Sequence, residues 1–341
     1  MSDSSSKTGN SRRIGASKLV TVFGGSGFVG RHVVRALAKR GYRVRAAVRR
    51  PDLANYLQPL GSVGQIHAVQ ANLRYRQSVE HAVAGADAVV NLVGILHESG
   101  RQKFDAIQGY GPLAVAQAAR AAGLGTMVQM SALGADSGSA SVYAKSKAEG
   151  EKGVLDTLPD STILRPSIIF GAEDNFFNLF ARMAQLSPVL PLIGGGVTRF
   201  QPVFVGDVAE AVARAVDGEA RPGAVYELGG PEIKTFRECL ELMLEIIDRK
   251  RLLAPVPFGL ARLKARFLQL LPNPLLTVDQ VRLLETDTVV SEAAIAERRT
   301  LEGLGIEPET LAAVLPSYLV MYRPQGEFSR REIAYASPHN K

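Results

Sequence analysis

The spacing of apolar positions changes several times along the chain, and each change marks an element. Lys18–Phe23 is a short run rich in β-branched residues that ends in the cluster Gly24-Gly-Ser-Gly-Phe-Val-Gly30, which reads as a strand entering a turn. From Phe28 to Lys39 the residues Val29, Val33, Val34, Leu37 and Ala38 recur at helical spacing, and Gly41 closes the helix. A second strand follows at Arg43–Val48. The alternation continues with a strand at 65–70, a helix at 77–84, a strand at 88–92, a helix over 103–122 and a strand at 126–130. Runs such as Ala88-Val-Val-Asn-Leu-Val93 leave no polar face, the pattern of parallel strands covered by helices on both sides. The expected fold class is therefore α/β, a doubly wound parallel sheet.

Past residue 170 the alternation breaks into Pro/Gly-rich pieces, Ser187–Gly196 and Leu252–Pro257, with short helices between them. The expected organisation is a Rossmann-type nucleotide-binding domain over 18–170, its sheet completed by parts of 200–230. A small mixed cap or partner region, 171–327, is interleaved with it. Residues 1–17 and 328–341 lack apolar periodicity and read as a disordered tail and a flexible tail. The segment Phe258–Leu271 forms an amphipathic helix with Leu260, Leu263, Phe267, Leu270 and Leu271 on one side and Arg262, Lys264 and Arg266 elsewhere. Two readings stay open for it: an ordinary core-facing helix, or a basic helix lying on an anionic membrane or a partner subunit.

Composition narrows the function classes. With 341 residues, 46% hydrophobic and 21% charged, the chain can bury a sizeable core. The single cysteine, Cys239, excludes an intramolecular disulfide and fits a reducing compartment, and five scattered histidines show no metal-ligand spacing, so no metal is expected. No run approaches the roughly 20 apolar residues of a spanning helix. The net charge of +7 suits anionic ligands or surfaces, but 6% aromatics and no tryptophan offer no stacking platform, so nucleic acid is not an expected partner. The expected location is cytoplasmic.

The chemistry starts at the glycine cluster. Gly24, Gly27 and Gly30 form G-x-x-G-x-x-G between a strand and a helix: Gly24 allows the tight turn, Gly27 lets backbone approach a pyrophosphate, and Gly30 lets helix and strand pack closely. Free N–H groups of the helix beginning at Phe28, with Ser26 and Val29 beside them, then hold the phosphates. At the end of the second strand, where an acid would bind the ribose of NAD, the sequence reads Ala46-Ala-Val-Arg-Arg50. Arg49 first, and Arg31 second, can pair with the extra phosphate of NADP, so NADP(H) is expected ahead of NAD(H). The alternative is that both arginines are simply solvated.

Tyr143-Ala-Lys-Ser-Lys147 places a tyrosine and a lysine on one helix face, 12 residues after Ser131 at a strand end. With these residues the chain resembles the extended and atypical branch of the short-chain dehydrogenase/reductase superfamily. The resemblance implies that Tyr143 is the general acid/base, that Lys147 lowers its pKa and holds the nicotinamide ribose, and that Ser131 orients the substrate oxygen. It also implies cofactor contacts from Asn72, Leu73, Val93, Gly94, Pro166 and Ile169, the last two within Arg165–Gly171, which closes over the nicotinamide end. In Ala71-Asn-Leu-Arg74 an asparagine stands where the family usually has aspartate against adenine, and its amide can still make that bond. Tyr143 and Lys147 can equally be a cofactor-positioning pair without turnover, or part of a solvated helix.

A narrower resemblance covers nearly the whole ordered chain. Val20–Arg31, Asn91–Leu96, Ser131–Glu151, Arg165–Phe180, Phe200–Ala209 and Pro272–Leu284 are similar to the NADPH-binding accessory subunit family of respiratory complex I and its bacterial relatives. That resemblance implies a tightly held structural NADPH, complex I subunits as partners and a peripheral position on the inner face of the respiratory membrane. The alternative is an active NADP-dependent oxidoreductase, epimerase or dehydratase on a lipophilic substrate, as in ubiquinone or isoprenoid metabolism.

Overall fold

Residues 18–324 and 326, apart from 272, 273 and 275, are described by the computed structural model. The two expected tails, 1–17 and 328–341, lie outside the described residues, as does the start of the segment at Pro272. The first half runs β1 (Leu19–Phe23), α1 (Phe28–Lys39), β2 (Arg43–Val48), β3 (Ile66–Gln70), α2 (Arg76–Val83), β4 (Ala88–Asn91), α3 (Tyr110–Ala121), β5 (Val128–Met130), α4 (Val142–Thr157) and β6 (Thr162–Pro166). It continues through β7 (Ile169–Phe170), α5 (Phe177–Leu186), β8 (Val189–Ile193), β9 (Arg199–Phe200), β10 (Val203–Phe204), α6 (Val205–Asp217) and β11 (Val225–Leu228). Then come β12 (Lys234–Thr235), α7 (Phe236–Ile246), β13 (Leu252–Val256), α8 (Phe258–Leu268) and α9 (Val278–Leu283), followed by shorter helical pieces.

Seven strands form one parallel sheet in the order β11-β6-β5-β4-β1-β2-β3. The chain moves outward from β1 through β2 to β3 and then returns to β4 on the other side of β1. This reversal leaves a crevice outside the carboxyl ends of β1 and β4, where ligands bind in doubly wound sheets. One face is sealed by α1 and α6, with Val33, Val34 and Leu37 against Val208, Ala211 and Val212. The other is sealed by α2, α3 and α4, through Val79, Val83, Val115, Ala119 and Val154. Val20 and Val22 of β1 are fully buried, as the unbroken apolar pattern predicts for a central strand.

A second core gathers Phe170, Phe177, Leu190, Phe236, Leu240 and Met243 from the region past residue 170, with β8 and β13 paired in parallel. Cys239 is buried there, and burial pushes its thiol up to about 12, so it is an inert core group. Asp174 accepts bonds from the backbone N–H of Phe176 and Asn178, at 2.9 and 3.1 Å, and from the Tyr318 hydroxyl at 2.5 Å, which pins the C-terminal helices to the loop after β7.

Two elements differ from their sequence patterns. The helix expected over 103–122 opens with a π-helical turn at Asp105–Gly109 before α3. Pro112, which has no N–H to give, lies in the first turn of α3, where the bonding pattern changes over. In α8 the side facing the protein is made by Ala261 and Ala265, both buried, with Phe258 half-buried against the second core, whereas Leu260, Leu263 and Phe267 face outward. The helix does pack on the second core and on α9, but through its small residues, and the stripe of Leu260, Leu263 and Phe267 is left uncovered.

Candidate nucleotide-binding site

The glycine turn sits at the carboxyl end of β1, in the crevice. Gly24 has φ of +78° and its N–H bonds to the Ala47 carbonyl of β2 at 3.1 Å, so the turn is tied to the neighbouring strand. A Cβ on Gly30 would stand 2.1 Å from the Gly24 carbonyl oxygen, which excludes any other residue at that position. The close approach is to the turn itself rather than to the strand body. α1 starts at Phe28 with Gly27 as its N-cap, no capping side chain and no acid in its first turn, so its leading N–H groups remain available to an anion.

Arg49 leaves the end of β2, exposed and without an ion pair among the described residues. Arg50 beside it is engaged, in a two-pronged pair with Asp52 at 2.7 and 3.0 Å. Arg31 is engaged as well: its guanidinium lies 5.0 Å from the centre of the Tyr56 ring and pairs with Glu173 at 3.0 Å. Tyr56 in turn donates to the Ser26 carbonyl of the glycine turn, and His32 lies 3.4 Å from Glu173. Of the two arginines expected at the extra phosphate, Arg49 is the uncommitted one, while Arg31 ties the start of α1 to the loop after β7.

On the adenine side, Asn72 Oδ1 accepts from the Arg74 N–H at 3.2 Å, which leaves its Nδ2 as the outward donor. Leu73 is buried against α3, so its side chain belongs to the core and only its backbone can face a nucleotide. Val93 packs beside Gly24, with its Cγ2 3.3 Å from where a Cβ on that glycine would stand.

The YxxxK residues converge at the far end of the crevice. Lys147 is buried, and its Nζ donates to the Met130 carbonyl at 3.3 Å, the residue just before Ser131. A Cβ on Gly94 would lie 3.4 Å from the same Nζ, so Gly94 and Lys147 form one wall. The ring of Tyr143 is centred 5.8 Å from Nζ and stands edge-on to Phe104. Ser131 Oγ is buried and has no hydrogen-bond partner among the described residues, so it is free to bond a group that enters the crevice. Pro166 ends β6, with its carbonyl taken by the Leu133 N–H at 2.9 Å, and Ile169 opens β7 half-buried.

Electrostatics at this end are unusual. Burial lowers Lys147 to about 8, against the opposing pull of Glu151, which is itself held by Arg165 at 2.9 and 2.5 Å. Burial raises Tyr143 to about 12, and the carboxylate of Asp279 adds to the rise. Asp279 comes from α9 and accepts bonds from Ser141 Oγ and from the N–H groups of Val142 and Tyr143, at 2.8, 2.8 and 3.1 Å. It thus caps the helix that carries the motif. Sequence reasoning missed Asp279, Glu173 and Tyr56, and it missed Gln108, whose buried amide donates to Ser146 Oγ at 3.3 Å and accepts from the Ile95 N–H at 2.8 Å. Glu173 and Asp279 lie within segments that carry the family resemblance, but no spacing marks any of the four as a site residue; each acts through a fold contact.

Free amides at a helix start, an uncommitted arginine at the end of β2 and an orphaned buried hydroxyl at the far end together fit an extended dinucleotide. The sequence profile of the NAD dependent epimerase/dehydratase family matches residues 20–229, and the chain belongs to that family. Its fold is shared with the crystal structure of an NADPH-dependent quinone oxidoreductase from Escherichia coli complexed with NADPH (TM-score 0.69, 22% identity, 88% of this chain and 99% of that one). Within the family it belongs with the complex I subunits. It is 34% identical over 320 residues to NADH dehydrogenase (ubiquinone) 1 alpha subcomplex subunit 9, mitochondrial, of Arabidopsis thaliana, covering 90% of this chain and 79% of the relative. It is 29% identical to the NADH-ubiquinone oxidoreductase 40 kDa subunit, mitochondrial, of Neurospora crassa, over 92% of this chain and 84% of that one.

Proposed function

We propose that this protein is a nucleotide-loaded accessory or assembly subunit of NADH:ubiquinone oxidoreductase that holds NADP(H) as a structural group, peripherally at the respiratory membrane. Similarity to subunits of that enzyme across nine-tenths of the chain carries the assignment. Arg49 supports NADP(H) over NAD(H), because a guanidinium at the end of β2 favours a phosphate over a bare hydroxyl. A ligand bound only by the folded state stabilises it by mass action, which gives the nucleotide a role without turnover.

The environment of Tyr143 supports the structural role. A catalytic tyrosine of this kind works best with its pKa drawn toward neutrality by a lysine cation. Here burial, with Asp279 adding to it, pushes Tyr143 up to about 12 in the nucleotide-free fold, while Lys147, lowered to about 8, is still mostly a cation at neutral pH and does not draw the tyrosine down. One observation favours the second reading, an NADP-dependent reductase or epimerase on a lipophilic substrate: the orphaned Ser131 hydroxyl is placed to hold a substrate oxygen. Tyr143→Phe separates the two. The structural reading expects the variant to keep its nucleotide and its association with the complex, and loss of an NADPH-dependent turnover measured in the parent protein would overturn it.

A further inference from the structure

Helix α8 packs on the second core through Ala261, Ala265 and Phe258 and turns a stripe of large apolar side chains to the outside. Leu260, Leu263 and Phe267, with Leu270 and Leu271 just past its end, are 45% to 80% exposed, while Ala261 and Ala265 face inward and are covered. Bonds from Gln269, Leu270 and Leu271 to the carbonyls of Ala265, Phe267 and Leu268 continue the helical turn through residue 271. At helical spacing these five apolar residues form one outward ridge rather than scattered points. Lys264 and Arg266 project from its two shoulders, and neither has an ion pair among the described residues. Arg262, further round, is paired with Glu285 at 3.6 Å. Residues 258–271 contain no acid. Leu270 also lines a cavity of about 460 Å³ with Val142, Phe104 and Asp279, so the ridge reaches a cavity beside the first residue of α4.

We propose that α8 seats the protein on an anionic lipid bilayer, its ridge in the boundary between headgroups and acyl chains and Lys264 and Arg266 against lipid phosphates. A continuous ridge of leucine and phenylalanine fringed on both sides by cations, with no acid in the segment, is the pattern that binds such surfaces. A protein partner fits less well, since interface cores are depleted in lysine and carry satisfied polar rims. A second copy fits worst, because a two-fold contact would press these unpaired cations against their own images. The inference goes beyond the nucleotide role and does not rest on it.

Vesicle flotation of the full chain tests it, with phosphatidylcholine vesicles and with vesicles that also contain phosphatidylglycerol. The protein floats with the anionic vesicles, stays behind with the neutral ones, and is released by high salt, which screens headgroup charge. Leu263→Ser with Phe267→Ser loses the floated fraction, and Lys264→Gln with Arg266→Gln abolishes the preference for anionic lipid. All four side chains are exposed, and nucleotide content together with thermal melting confirms that each variant is folded. Absence of flotation on anionic vesicles at low salt overturns the proposal, as does flotation that survives the Leu263 and Phe267 changes. So does a concentration-dependent dimer that those changes dissolve, which would give the ridge to a second copy. Failure to float with nucleotide retained sinks the membrane seat alone, whereas flotation by a protein that holds no nucleotide sinks the nucleotide reading alone.

Discussion

Arg49 and Lys147 mark the two ends of the crevice, one exposed and without an ion pair among the described residues, the other buried with Glu151 as its nearby opposite charge. Arg49 has no ion pair among the described residues, so its guanidinium is free for the phosphate that distinguishes NADP(H) from NAD(H). Arg49→Gln should weaken NADPH by about 2 kcal/mol, roughly thirtyfold, and leave NADH nearly unchanged, because a charge-assisted bond to phosphate is lost and no bond to NADH is. Titration with each nucleotide checks this, and equal losses for both would remove Arg49 from the phosphate site. Lys147 is held at about 8 rather than 10.5, chiefly by burial. Its proton therefore leaves the folded chain before it leaves the unfolded one. The buried cation weakens the nucleotide-free fold below pH 8, and that deficit is relieved as pH rises from about 8 to 10.5. Relative to Lys147→Met, the parent protein should gain up to about 3 kcal/mol of stability across that window, read from denaturant unfolding at several pH values. A difference independent of pH would contradict the burial of the cation.

At the scale of elements, the motif helix depends on a residue far from it in sequence. Asp279 closes the start of α4 by accepting from Ser141, Val142 and Tyr143, and its charge adds to the burial that raises the Tyr143 pKa. Asp279→Ala should cost about 1–2 kcal/mol as a lost helix cap. It should also lower the Tyr143 pKa from about 12, read as a tyrosinate absorbance difference against Tyr143→Phe. An unchanged tyrosine titration would show that Asp279 serves only the helix end. The contrast between α4 and α1 explains what the sequence displays and what it hides. The glycine turn, α1 and β2 are local, so spacing alone is enough to put Gly24 in the turn, Gly30 in the first helical turn and Arg49 at the end of the strand. Asp279, 136 residues from Tyr143, and Glu173, 142 from Arg31, meet their partners only through the fold, and no periodicity points to them. Periodicity also finds an amphipathic helix without saying which face is turned inward. In α8 two alanines take the inner side, so the apolar ridge that looks like a core stripe lies in the open.

For the molecule as a whole, the parallel order of seven strands follows from the alternation of apolar strands and periodic helices, and the crevice follows from the return of the chain to β4 beside β1. The part past residue 170 was less legible, because its strands are two to five residues long and its core is assembled from Phe176, Phe177, Phe200 and Phe236, drawn from separate segments. The central claim, that the protein works as a nucleotide-loaded companion of NADH:ubiquinone oxidoreductase, concerns an assembly and is tested on one. Host membranes are solubilised gently, separated on a native gel, stained for NADH dehydrogenase activity, and the active band is probed for this chain and for NADPH. The chain and NADPH should migrate with the activity. A chain that runs free of the active band, with or without nucleotide, would contradict it.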